Sequence, residues 1–481
     1  MSRFTEQAVL LWSRVGTRFM PFADTATAEL PMARLMRLAL FQVTVGVATV
    51  LLVGTLNRVM IVELKVPAWL VSLMVAVPLV LAPFRALIGH RSDNHVSAFG
   101  WRRVPYIWFG SLAQFGGLAI MPFALIILSG DTHAGPALGY VAASIAFLLV
   151  GGGLQVTQTA GLALATDLAP AAVRPKVVAL MYSMLLVGMV AAGLVCGQLL
   201  ANFSELRLIQ VIQGSAVLTI ALNVVALWKQ EPRNLERGES PPAREPFRAS
   251  WRRYAAEPGA LRFLATVGLG TAAFNMQDIV LEPYGGEVLH LGVGSTTRLT
   301  ALMAGGMLLA FAYAARELGR GRDPFRVAGQ GVLAGFLGFP AVAIAAPVGS
   351  VLLFQAGVLL NGFGAGLFAA GTLAGAMSRE THGDGGLALG AWGAVQATMA
   401  GVAIALGGAI RDAVALLAAD GSLGETLTGP EAGYGIVYLT EFLLLFVTLA
   451  ALGPLVRSAY TGGTMLRSAA FNEYSARPAG M

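Results

Sequence analysis

Charge is scarce in this chain: only 12% of its 481 residues are Asp, Glu, Lys or Arg, whereas soluble domains carry about a quarter. Cysteine is rarer still, and the single Cys196, inside a predicted helix, excludes an internal disulfide. The three lysines, Lys65, Lys176 and Lys229, leave none for a Gly-rich phosphate-binding loop, so the chain has no ATPase motif and any energy for movement comes from a gradient, a ligand or a partner. Histidine is absent from the middle of every apolar run: His90, His95, His133 and His382 fall in loops and His290 lies near the edge of a run. That distribution argues against a His-ligated transition metal or haem within the membrane, and no metal site is expected. It leaves open a Mg-centred pigment, because Mg accepts oxygen ligands from Gln, Asn, Asp, carbonyls or water. No nucleophile–base pair, metal cluster or nucleotide motif is present, so an enzyme is not expected.

What is abundant is apolar sequence, 56% of the chain, with a mean hydropathy of +0.71. About 20 apolar residues span a bilayer as a helix, and on that length roughly twelve spans are predicted. They lie near 38–62, 67–88, 104–129, 137–166, 177–200, 208–228, 260–282, 295–315, 327–346, 350–377, 387–410 and 433–456. Arg and Lys gather in the terminal segments, the central linker and alternate loops; the opposite loops hold only Lys65, Arg207, Arg298 and Arg411. By the positive-inside rule both termini are predicted cytoplasmic. The net charge of +6 and pI near 9.7 then reflect topology and attraction to anionic lipids, with nothing that suggests nucleic acid. The first apolar run starts only after some 37 residues and is long enough to span, so a cleavable signal peptide is not expected.

The chain divides into an N-terminal segment 1–37, a first six-helix half 38–228, a Pro-rich charged linker 229–258, a second half 259–457 and a small polar tail 458–481, expected to be largely irregular. Phe4, Ala8, Leu11, Trp12, Val15 and Phe19 would share one face of an amphipathic helix on the cytoplasmic surface. LMRLALFQVTVG at 35–46 opens the first half as LRFLATVGLG at 261–270 opens the second, and GLQVTQTAGLALATD at 153–167 corresponds in place to GLFAAGTLAGAMSRE at 366–380. Two parallel six-helix repeats are the arrangement of the major facilitator superfamily, and that all-α fold is predicted. Gly89, Asp93, Gly100, Arg102 and Arg103 resemble that superfamily's loop after the second helix, with a longer spacing between Asp93 and Gly100. Asp93 can cap a helix end while the Arg pair holds the cytoplasmic face, which makes the element conformational, and the stretched spacing argues against ordinary alternating-access transport.

Polar residues inside apolar runs are the candidate site. An ionisable group at that depth costs about 2.5 to 3.5 kcal/mol on insertion scales, so it survives where it meets a partner, a cavity or a ligand. Asn275, Asp278 and Glu282, at i, i+3 and i+7, would share one face of the seventh helix. Arg58, near Asn57 and Glu63 in the first, is expected to pair with Asp278 or Glu282, as an outer gate or a static brace. In the fourth helix Gln155 and Gln158 lie near one face, either bonded to a neighbouring helix or turned to a ligand.

The strings GTLNRVMIVEL at 54–64, PFRALIGHRSD at 83–93, GWRRVPYIWFG at 100–110, TQTAGLALATDLAP at 157–170, RLIQVIQG at 207–214 and FNMQDIVLEPYGGEVL at 274–289 together resemble the PucC and LhaA family of purple photosynthetic bacteria, over about residues 20–457. That resemblance implies an assembly factor, a chaperone of a kind, that delivers bacteriochlorophyll to light-harvesting antenna polypeptides in the intracytoplasmic membrane. Bacteriochlorophyll synthase and the protein insertion machinery are implied as partners. Gln155, Gln158, Asn275, Asp278 and Glu282 are the pigment-facing candidates, inferred from position. The alternatives are a secondary transporter, proton-coupled through Asp278, Glu282 or Glu441, and a scaffold that holds antenna helices without pigment.

Overall fold

The computed structural model describes residues 31–81, 101–130, 133, 135–170, 173–231, 247–378, 387–422, 429 and 431–475, the side chains of 175, 247–250 and 457–475 excepted. The N-terminal amphipathic face, Gly89, Asp93 and Gly100 lie outside the described residues. Among those described, eleven helices are long and apolar enough to cross a membrane, and a shorter apolar helix, Ala68–Val80, stands where the second span is predicted.

In chain order they are α1 (Met32–Glu63), α2 (Ala68–Val80), α3 (Val104–Leu128), α4 (Pro136–Leu168), α5 (Arg174–Leu199), α6 (Glu205–Leu227), α7 (Ala260–Glu287), α8 (Val293–Gly319), α9 (Pro324–Val348), α10 (Val351–Ser378), α11 (Leu387–Ala419) and α12 (Glu431–Ser475). Local chemistry fixes several starts. Pro136 and Pro324 open α4 and α9, where a missing N–H costs nothing. Ser204 accepts the Arg207 N–H at 3.2 Å and Asp323 accepts the Phe325 N–H at 2.9 Å, capping α6 and α9. Two differences from expectation concern polar segments. The linker contains a helix, Phe247–Ala256, on which Trp251 packs against Tyr254, and α12 continues through the tail to Ser475.

α1–α6 and α7–α12 form two six-helix halves, in which α3 packs on α4 as α9 packs on α10. The halves meet where α2 lies along α11 and α5 along α8. Without a hydrophobic drive between helices in lipid, such seams depend on close backbone approach. Thus a Cβ on Gly408 of α11 would stand 2.6 Å from the Ala68 carbonyl oxygen of α2. Large apolar side chains such as Phe109, Phe123 and Leu352 point outward, as a bilayer demands.

Two faces can be named from contacts. At the near face α1 begins and α6 ends, joined by Arg34 Nε to the Gln230 side chain at 3.2 Å and by Arg34 Nη2 to its carbonyl at 2.5 Å. At the far face α2 begins and α11 approaches its end, where the Trp69 N–H donates to Asp412 at 2.8 Å.

Candidate functional site

The first span departs from α-helical winding in two π turns, Val50–Leu56 and Val59–Glu63. A π turn brings residues five apart into register. Arg58 and Glu63 are five apart, and they form an ion pair. This corrects the expected partner: Arg58 is joined to Glu63 of its own helix, and neither Asp278 nor Glu282 forms the ion pair, because the wide turn swings Glu63 back over the guanidinium. Arg58 still reaches the other half. Its Nη2 donates to the Leu291 carbonyl at 3.2 Å and lies 2.9 Å from where a Cβ on Gly286 would stand.

Around Arg58 the halves are sealed by further polar contacts. Asn57 Nδ2 donates to the Ile279 carbonyl at 2.9 Å, and the Thr55 and Thr297 hydroxyls bond at 3.1 Å. Gly54 lies against the Glu282 carboxylate, which accepts the Thr300 hydroxyl at 2.5 Å. Glu282 is 1% exposed.

α7 is broken where its polar residues sit. It is α-helical to Asn275, tightens to a 3-10 turn over Met276–Ile279, and resumes over Leu281–Glu287. A break in hydrocarbon frees backbone groups that other parts of the protein must satisfy. Here the fully buried Glu441 of α12 accepts the Gln277 N–H. The Gln277 side chain accepts from Asn361 Nδ2 of α10 at 3.1 Å, so α7, α10 and α12 converge on the break. The 3-10 turn also defeats the expected common face. Asn275, whose Nδ2 donates to the Thr271 carbonyl at 2.7 Å, and Asp278 are half-buried, while Glu282 is turned into the seam.

Beyond the break, Glu287 ends α7 inside a cluster of its own half. It accepts from Arg411 Nη2 and from the Tyr434 hydroxyl at 2.7 Å; Lys65 of the other half stands at 3.9 Å. Arg411 also donates to Asp412 at 2.8 Å.

Gln155 and Gln158 of α4 are both buried, at 5% and 8% exposure. Thr159 donates to the Gln155 carbonyl at 2.7 Å, yet Gln155 Oε1 is buried and accepts no hydrogen bond from the described residues. α4 packs on α1, α2, α3 and α5, whereas the α7 break packs on α11 and α12 and on the first π turn of α1. The structure therefore places the two groups of candidates in separate halves and not side by side.

At the near face Arg103 Nε pairs with Asp167 of α4 at 3.1 Å. The start of α3 is held by Glu231, whose carboxylate accepts the N–H groups of Arg102 at 2.7 Å, Arg103 at 3.0 Å and Val104 at 2.9 Å. A carboxylate at the positive end of a helix dipole is well placed electrostatically.

With this geometry in view, comparison with known proteins is direct. The family profile described as "PUCC protein" matches residues 55–460. The chain belongs to the PUCC family. Protein PucC of Cereibacter sphaeroides is 53% identical over 95% of this chain and 99% of its own length. A Rhodobacter capsulatus protein described as uncharacterized, from the puhA-bchM intergenic region, is 55% identical over 91% of this chain and 92% of its own. More distantly, the Rhodobacter capsulatus protein named bacteriochlorophyll synthase 44.5 kDa chain is 27% identical over 86% of this chain and 93% of its own length.

Among solved structures, a bacterial homologue of the lysosomal transporter Spinster superposes with a TM-score of 0.66 at 14% identity, covering 92% of this chain and 98% of that one. A peptide transporter, POT, gives 0.63 at 13% identity, covering 88% and 94%. The fold is that of the major facilitator superfamily, as expected from the repeat.

Sequence reasoning overlooked Glu231, Glu287 and Asn361. Arg411 carried a usable signal, since a cation inside an apolar helix calls for a carboxylate nearby. Asn361, among glycines in an otherwise apolar run, carried a weaker one.

Proposed function

We propose that this protein is a non-catalytic antenna assembly factor that carries bacteriochlorophyll to light-harvesting polypeptides in a photosynthetic bacterial membrane, with both termini cytoplasmic. The observation that supports it best is family membership across residues 55–460, with PucC relatives alike over nearly their full length. The relative named for bacteriochlorophyll synthase points to the same pigment pathway.

The residues present suit such a cargo in one respect. Gln155 Oε1 is an orphaned amide oxygen within the membrane span, and burying an unpaired amide costs about 1–3 kcal/mol on mutational scales. A magnesium-centred macrocycle takes oxygen donors, so Gln155 would hold the magnesium, with Gln158 beside it. Asn275 and Asp278, half-buried on α7, would line the opposite half of the path. In this reading the contacts around Arg58 act as the closed outer gate, and cargo enters from the near side or from lipid. Antenna polypeptides, the bacteriochlorophyll synthase and the insertion machinery are the partners this role requires.

Complementation tests the role. In a host deleted for this gene, the wild-type protein restores antenna absorption. A Gln155→Leu variant, present at equal level, restores markedly less. Full restoration by a variant with both Gln155 and Gln158 replaced by leucine would contradict pigment ligation through α4. Loss of a small-molecule gradient with antenna intact on Glu441→Gln would favour a transporter.

A further inference from the structure

A groove of about 640 Å³ opens on the flank of the first half, away from the candidate site. Its floor is Val43 and Val47 of α1, and its walls include Gly188 of α5 and Gly214 of α6. It exists because α5 and α6 splay apart. Their counterparts α11 and α12 close up, with the Arg411 carbonyl oxygen 2.6 Å from where a Cβ on Gly433 would stand. Such a volume lies within the range of small-molecule sites, roughly 300–1,000 Å³.

Length and charge together select the occupant. The groove follows α5 from Gly188 to Leu199 and α6 from Arg207 to Leu218. At 1.5 Å per residue that is about 17 Å, close to half of a hydrocarbon core of ~30 Å. This is the depth of one leaflet, too short for a spanning helix. The far-face mouth is rimmed by Arg207, Gln210 and Gln198, and Arg298 Nη2 donates to Gln198 Oε1 at 2.5 Å. Arg207 is exposed and gives Nη1 to the Asn202 carbonyl at 3.0 Å. Besides Arg58, the far-face cations Lys65 and Arg411 face Glu287, while Arg207 lines this mouth and Arg298 reaches it through Gln198. Glu205, also exposed, lies two residues before Arg207 and so points around the helix from it.

We propose that this groove binds one anionic phospholipid of the far-face leaflet, its acyl chain between α5 and α6 and its phosphate at Arg207 and Arg298. The inference does not depend on the pigment reading. A Cβ on Gly214 meets nothing within 4 Å, so Gly214→Leu fills the groove without a clash.

The test is native mass spectrometry of the full chain released from nanodiscs containing equal phosphatidylglycerol and phosphatidylcholine. Wild type should retain one phosphatidylglycerol in preference to phosphatidylcholine. Arg207→Gln should weaken that preference about fivefold, the effect of ~1 kcal/mol for one cation near a membrane surface. Gly214→Leu should abolish retention of both lipids, and elution profile and melting temperature confirm that each variant is folded. Retention equal for the two lipids, or unaltered in Gly214→Leu, overturns the proposal. So does a polypeptide, in place of lipid, displaced by Gly214→Leu.

Discussion

α1 and α7 hold corresponding places in the two halves, and both abandon regular winding in mid-membrane, but in opposite directions. α1 widens into π turns and its side chains Thr55, Asn57 and Arg58 reach across to α7, α8 and the loop between them. α7 tightens into a 3-10 turn, and apart from the Ile279 carbonyl that Asn57 reaches, its polar groups are met chiefly by its own half, Gln277 by Glu441 and Asn361, Glu287 by Arg411 and Tyr434. The widened helix ties the halves together, and the tightened one is anchored inside its half. A helix irregularity thus has no fixed meaning until the partners of its loosened groups are known.

This contrast can be broken experimentally, most severely at the anchored end. Arg411→Met leaves the half-buried Glu287 with only the exposed Lys65 at 3.9 Å and should cost about 3 kcal/mol, the lower end for a broken buried pair, read as a large fall in melting temperature in detergent. The far-face seam, probed by the disulfide yield of a Thr55→Cys, Thr297→Cys pair, should change little in the properly folded fraction. Glu441→Leu strands the Gln277 N–H and should cost about 1–3 kcal/mol, while Glu441→Gln, which keeps an acceptor oxygen, recovers most of it. Again the seam should hold. Equal losses for the Leu and Gln variants would show that the anchor is not this hydrogen bond.

Changes on α1 should do the reverse. Gly54→Val drives a side chain into the Glu282 carboxylate, so overpacking of about 1–3 kcal/mol should come with a clear drop in the disulfide yield. Asn57→Leu removes one hydrogen bond across the seam, worth about 0.5–1.5 kcal/mol, with a smaller drop in yield. An undiminished yield in both variants would mean that α1 does not tie the halves.

The comparison also explains what the sequence could and could not disclose. Spans were legible because apolar length and proline starts are local properties; α3, predicted at 104–129, is Val104–Leu128. The family was legible in long strings such as FNMQDIVLEPYGGEVL at 274–289. The winding of α1 and α7 was not, because it is set by tertiary partners: Glu441 lies 164 positions from Gln277. An α-helical wheel therefore aligned Glu282 with Asn275 and Asp278, where the 3-10 turn leaves Asn275 and Asp278 together and Glu282 is turned into the seam, and paired Arg58 across the seam where a π turn supplies Glu63. The buried amide of Gln155 was legible as a polar residue in an apolar helix, but only packing shows that its oxygen is orphaned.

The most direct test of the proposed role is the near-infrared absorption and extracted pigment content of the tagged protein from a host that makes bacteriochlorophyll but lacks all antenna polypeptides. The account predicts stoichiometric pigment on wild type and its loss in Gln155→Leu at unchanged folding. A folded, colourless wild-type protein that still captures antenna polypeptides when they are restored would contradict pigment carriage and leave a scaffold.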